Sequence, residues 1–257
     1  MAVMTLENLT TGKLKKPVRA VIYGVEGVGK STFGACAPAP VFIGAEDGTS
    51  QLDVARFPQP DSWNDVLAAI GELYDQNHEF KTVVLDSADW AQRLCFQTVA
   101  KEAGHDSIEG FGYGKGYQMA AERYLQMLRG LDALCQKGMN VIVVAHAQIS
   151  TFQDPAGDSY DHYTISCDKR ISPMLKEWAE CVLFADFDKS TKQVGDGFNK
   201  RTIAKSYGER IMFTEHRASH DAKNRFNLPE RMPLNWETFN NAIEAFYQPA
   251  QKSAVNN

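Results

Sequence analysis

Gly24-Val25-Glu26-Gly27-Val28-Gly29-Lys30-Ser31-Thr32 meets the pattern G-x-x-x-x-G-K-[ST] at every fixed position. The pattern has a mechanism. Glycines let the backbone fold tightly round a polyphosphate with successive N–H groups pointing inward, and a helix that starts just after the loop adds its positive end. Gly24, Gly27, Val28, Gly29, Lys30, Ser31 and Thr32 then form a cradle, with Lys30 near the β and γ phosphates and Ser31 holding Mg²⁺. The ligands implied are a nucleoside triphosphate, ATP, and Mg²⁺. Val18 to Tyr23 reads as a short buried strand feeding the loop, and Thr32 to Cys36 opens a helix.

Outward from the loop, strands and helices alternate. Pro38-Ala39-Pro40 stops the first helix, and Val41 to Ala45 reads as a second strand ending at Glu46-Asp47-Gly48. Asp61-Ser62 caps a helix over Trp63 to Tyr74, and Thr82 to Leu85 is a third strand ending at Asp86-Ser87. A helix from Trp90 to Ala103 gives way to His105–Gly116, too rich in glycine for regular structure. The long amphipathic helix that follows places Ala120, Tyr124, Met127, Leu128, Leu131, Leu134 and Cys135 on one face. Val141 to His146 is a fourth strand, apolar enough for the middle of a parallel sheet covered on both faces.

Beyond it, Gln153 to Asp161 reads as a long mobile loop, Ile171 to Ala179 as a short helix, and Val182 to Ala185 as a return to the sheet. Arg201–Ser206 and Arg210–Thr214, flanking Tyr207-Gly208-Glu209, read as a hairpin, and Trp236–Phe246 as a closing helix capped from Asn235. The expected fold is α/β: a mainly parallel sheet with helices on both faces and an antiparallel edge hairpin. Residues 1–16 read as an arm, 17–247 as the core and 248–257 as a tail that includes a disordered end.

In such sheets ligands gather at the carboxyl ends of the strands, where the loop, Glu46, Asp86 and His146 all fall. Asp86 ends an apolar strand as a Mg²⁺-organising carboxylate does. Glu46 is the candidate for orienting the attacking water, with Asp47 its rival. His146, with Gln148 after it, is placed to touch the γ-phosphate, or is a buried hydrogen-bonded histidine.

Composition bounds the rest. In 257 residues, 44% are hydrophobic and 23% charged, as in ordinary soluble proteins, and a net charge of −5 confines any nucleic-acid contact to local patches. Cys36, Cys95, Cys135, Cys167 and Cys181 are scattered and show no C-x-x-C pairing, which fits a reducing compartment. No apolar run is long enough to span a bilayer and the N-terminus lacks a secretion pattern, so a cytoplasmic location and no membrane partner are expected. The histidines show no zinc spacing and there is no Ser-His-Asp or Cys-His arrangement.

Together these residues resemble the ATPase core of RecA-type recombinases, in particular compact phage-type single-strand annealing and recombination proteins. The likeness covers Val18 to Leu234. Besides the loop it rests on Phe42-Ile43-Gly44-Ala45-Glu46, similar to the strand ending in that family's catalytic glutamate, and on Val83-Val84-Leu85-Asp86-Ser87, similar to its Mg²⁺ strand. Lys223-Asn224-Arg225 resembles the segment whose cations reach the γ-phosphate of an adjacent subunit, so Lys223 and Arg225 would act in trans, as an arginine finger does.

The resemblance also gives two stretches a purpose, gripping single-stranded DNA. His105–Gly116 holds Phe111, Tyr113 and Lys115, and Ser150–Arg170 holds Phe152, Tyr160, His162 and Tyr163, then Lys169 and Arg170, against Asp154, Asp158 and Asp161. Partners implied are single-stranded DNA, further copies of this chain in a ring or filament that shares ATP sites, and a single-strand binding protein. His146 stands where the family has glutamine, and little beyond the core is present, which favours annealing over full strand exchange. Two other readings stand beside this one: a nucleotide-regulated module binding a protein partner, such as a replication loader, with little DNA binding; and a small-molecule kinase, whose nearest substitute for an arginine-rich lid is Arg217 to Arg231.

Overall fold

Apolar runs too continuous for one wet face form the centre of the sheet. In the computed structural model, which describes residues 5–44, 48–155, 157–194 and 201–248, β1 (Arg19–Gly24), β2 (Pro40–Gly44), β4 (Thr82–Asp86) and β5 (Asn140–Phe152) carry these runs. Side chains alternate across a strand, so each run feeds two cores. Val21, Tyr23, Ile43, Leu85 and Val143 pack on one side, and Ala20, Ile22, Phe42, Val84 and Ile142 on the other.

The first side is covered by α2 (Trp63–Asp75), α3 (Ala88–Glu102), α4 (Lys115–Gln136) and α5 (Ile171–Trp178); the second by α1 (Lys30–Ala35) and α6 (Trp236–Tyr247). Two short strands, β3 (Ala55–Arg56) and β9 (Arg231–Pro233), lie at the sheet's edges, and β3 had no sequence signal. With β6 (Tyr160–Ile165), β7 (Cys181–Val194) and β8 (Arg201–Phe213), the order is β3-β2-β4-β5-β1-β7-β8-β9, with β6 paired to β5. Strands from β3 to β7 along that order run parallel, while β8 and β9 are antiparallel, as the alternating pattern implied.

Helix starts follow local chemistry. Ser62 and Asp65 form a reciprocal capping box on α2, and Asn235 accepts the Thr238 amide on α6, contacts worth about 1 kcal/mol each. On α4 the expected face is buried from Ala120 to Leu134, with Cys135 at its margin.

Three expectations are corrected. His105–Gly116 is not wholly irregular, because Ile108–Phe111 forms a 3₁₀ turn and α4 begins at Lys115. The loop expected from Gln153 to Asp161 holds at 153–155 and 157–159 but is the tip of a β-hairpin, because Tyr160 and Asp161 already belong to β6 and β5 runs on past His146 to Phe152, pairing from Ala147↔Ile165 to Phe152↔Tyr160. Lastly, Tyr207-Gly208-Glu209 is not a turn. β8 passes straight through it, and the register against β7 slips there from Phe187↔Arg210 to Lys189↔Ser206. Gly208, at φ +76°, absorbs the slip as a β-bulge, which needs the same left-handed glycine as a turn.

The lead-in segment lies against α6, where Lys13 Nζ donates to Phe246 O at 2.5 Å and Lys15 pairs with Glu244. Among the described residues no helix is long and apolar enough to cross a membrane, and all five cysteines are free. The expected tail, and the carboxylates Glu46 and Asp47, lie outside the described residues.

Candidate active site

Gly24 closes β1 between β5 and β7, in register with His146 and Ala185. A Cβ on Gly24 would sit 2.0 Å from the Ala185 carbonyl oxygen, so only glycine lets the chain leave the sheet here. Gly29, at φ +103°, turns the loop into α1. Val28 is fully buried in the core under α1 and α6; its side chain anchors the loop, leaving only its backbone for a ligand.

The loop opens on a cavity of about 800 Å³ at the carboxyl edge of the sheet. Gly27, Gly29, Lys30, Ser31, Thr32, Asp86 and His146 line it, so most of the expected cradle meets the expected metal carboxylate and strand-end histidine in one place. Lys30 is buried, and its ammonium donates to the carbonyls of Gly24 at 3.0 Å and Val25 at 2.9 Å, bridging the loop's start to its end. Gly44, which ends β2, is the register partner of Asp86, and Gly48 lines the cavity.

The carboxyl of Asp86 is buried, and burial pushes its pKa up against the opposing pull of the Ser31 hydroxyl, Lys30 and His146. Its Oδ2 has no hydrogen-bond partner among the described residues. A buried carboxylate oxygen left unsatisfied beside a hydroxyl is costly unless a cation takes it up. Ser31 and Asp86 therefore fit a Mg²⁺ ion by their donor chemistry, both being hard oxygen ligands.

Asp89, in the first turn of α3, was missed by the sequence reading. Its Oδ2 lies 2.9 Å from His146 Nδ1, and its Oδ1 accepts the His146 amide at 3.2 Å. Burial opposes the charge of Asp89, yet the bonds from His146 outweigh it and hold the carboxyl below the ordinary range. The histidine is thus clamped by ring and backbone at the point where β5 leaves the parallel sheet for the hairpin. Gln148, the other candidate for the family's glutamine, donates to Ile165 O within the hairpin instead. Trp90, Arg93 and Arg210 also line the cavity and carried no sequence signal, since elements remote in the chain deliver them.

Lys223 is occupied elsewhere. Its ammonium donates to the carbonyls of Lys176, Glu177 and Ala179 at 2.8–3.0 Å, capping the end of α5. Desolvation, then the nearby Arg225, lowers its pKa. All three donors being spent, the cation expected to reach a neighbouring subunit is a structural cap in this chain. Arg225 is exposed in a separate cleft with Asn224, Asn227 and Phe246, outside its own chain's phosphate cavity.

The residues expected to grip DNA come together through Arg170. Its Nη2 lies 3.1 Å from the Cβ position of Gly114, and its guanidinium stands 5.6 Å from the Tyr117 ring centroid. Gly114 joins Tyr113 to Lys115, and Lys169 adjoins Arg170, so both stretches meet in one patch. Tyr113 projects fully into solvent (105% relative exposure), and Lys115 and Lys169 are exposed. Phe111 is turned inward, its ring 4.5 Å from that of His105. The second aromatic group, Phe152, Tyr160 and His162, clusters on the β5–β6 hairpin.

A family model described as an AAA domain matches residues 16–226. No curated protein matches the chain.

Proposed function

The chain belongs to the AAA domain family, and from that premise and the strand-end cavity we propose that it is a Mg²⁺-dependent ATPase of RecA type acting on single-stranded DNA, in strand annealing or phage-type recombination. The nucleotide part rests on Lys30, Ser31 and Asp86 sharing one cavity with an unsatisfied Asp86 oxygen. Lys30 and the loop amides bind and orient the phosphates, Ser31 and Asp86 hold Mg²⁺, and Glu46 orients water in line with the γ-phosphate. Bound there, Mg²⁺ supplies neutralisation of the charge that builds between the β and γ phosphates. His146, clamped by Asp89, relates the phosphate end of the cavity to the hairpin that continues from it.

The observation that carries the nucleic-acid part is the meeting of the Tyr113–Lys115 stretch with Lys169 and Arg170. An exposed ring amid cations stacks on a base and pairs its phosphates without reading sequence, and a patch this local is compatible with a net charge of −5. Arg225, exposed and outside its own site, is the remaining candidate for completing the ATP site of an adjacent copy in a ring or filament. A single-strand binding protein as partner and a cytoplasmic location complete the reading.

Tyr113→Ala should weaken affinity for a labelled single-stranded oligonucleotide by about 1–3 kcal/mol in fluorescence anisotropy. Because Tyr113 packs on nothing, the melting temperature should not change. An unchanged affinity would move the DNA site elsewhere.

A further inference from the structure

The bulge in β8 has a consequence at the phosphate loop. Beyond the slip at Gly208, Arg210 faces Phe187, and its side chain lies over Gly29. From the position a Cβ would take on Gly29, Arg210 Nη1 is 3.0 Å, Cδ 3.6 Å and Cζ 3.7 Å. Bulges re-aim side chains, and this one turns an arginine of β8 onto the residue immediately before Lys30. Gly29 therefore answers two demands: its φ of +103° and the space that the guanidinium fills.

Arg210 also lines the loop's own cavity, with Lys30 and Arg93 as its other cations. Among the described residues no carboxylate pairs with it. Asp188, opposite the bulge, is taken by Arg231 at 2.6 Å. An exposed arginine is ordinarily solvated and mobile, whereas this one rests on a glycine kept bare, at the mouth of a phosphate-binding loop. A planar guanidinium suits two phosphate oxygens at once, which the point charge of Lys30 does not.

We infer that Arg210 is a phosphate-contacting residue supplied in cis, a second cation that clasps the nucleotide's polyphosphate from β8. The inference rests on the nucleotide reading above and adds a residue to it. In contrast to Arg225, whose proposed action needs a neighbouring copy, Arg210 acts within one chain.

The test is equilibrium binding of a fluorescent ATP analogue to the wild type, Arg210→Met and Arg210→Lys, with melting curves for each. Methionine keeps an apolar stem on Gly29 and removes the charge, so it separates phosphate contact from packing. Arg210→Met should bind the analogue about ten- to a hundredfold more weakly at unchanged melting temperature, with Arg210→Lys in between, as loss of a charged hydrogen bond implies. The loss should be the same at low and high protein concentration, since the contact is in cis. Wild-type affinity in Arg210→Met, or a loss that appears only on self-association, would overturn the inference while leaving the nucleotide reading intact. Failure of the wild type itself to bind would instead overturn the reading on which it rests.

Discussion

Lys30→Ala should cost at least about a hundredfold in ATP turnover, the scale of removing one preorganised donor from a developing charge. Two effects add. The ammonium is lost from the cavity it shares with Asp86, and the bridge from Lys30 to the Gly24 and Val25 carbonyls, at 3.0 and 2.9 Å, is lost with it. Those carbonyls define the mouth of the loop, so binding should fall as well as chemistry. Lys30→Arg is expected to restore little, since the side chain is buried and a bulkier fork does not fit the space of an ammonium. Binding of a fluorescent ATP analogue and release of phosphate together measure the effect; normal hydrolysis by Lys30→Ala would refute the assignment of the loop.

Glu46→Gln is expected to separate binding from hydrolysis. The substitution keeps shape and removes the charge that orients water, a loss of about 10²–10⁴ for a general base, while Lys30, Ser31 and Asp86 remain to hold the nucleotide. In sequence, Glu46 follows two residues after Gly44, which ends β2 and is the register partner of Asp86. Asp47 is the rival at the same strand end. Single-turnover hydrolysis with both Glu46→Gln and Asp47→Asn decides between them, and slow hydrolysis with tight binding in Asp47→Asn alone would transfer the role.

The parts of the fold that were legible in the sequence are those set by local patterning. Continuous apolar strands, the Ser62 and Asn235 caps and the buried face of α4 each follow from contacts a few residues apart or from full burial. What was not legible depends on partners distant in the chain. The fourth strand reads as ending at His146, and only the pairing with β6 shows that it runs on to Phe152. Tyr207-Gly208-Glu209 has turn composition, yet a left-handed glycine serves a bulge equally well, and only the pairing of β8 with β7 distinguishes them.

The site divides in the same way. Gly24 to Thr32 and Asp86 are visible because a motif or a strand end carries each. Asp89 reaches His146 across 57 positions, and Arg210 reaches Gly29 only because the bulge re-aims it. Lys223 shows the opposite case: a cation that matches a short motif is taken up by the end of α5, a demand set by the packing of that helix against the segment after β8.

The most direct test of the account is ATP turnover measured with and without single-stranded DNA at two salt concentrations. Mg²⁺-dependent turnover that DNA stimulates is expected, with stimulation fading at the higher salt because phosphate contacts release counterions. Turnover unchanged by DNA, together with no detectable DNA binding, would contradict it and favour a nucleotide-regulated module that binds a protein partner.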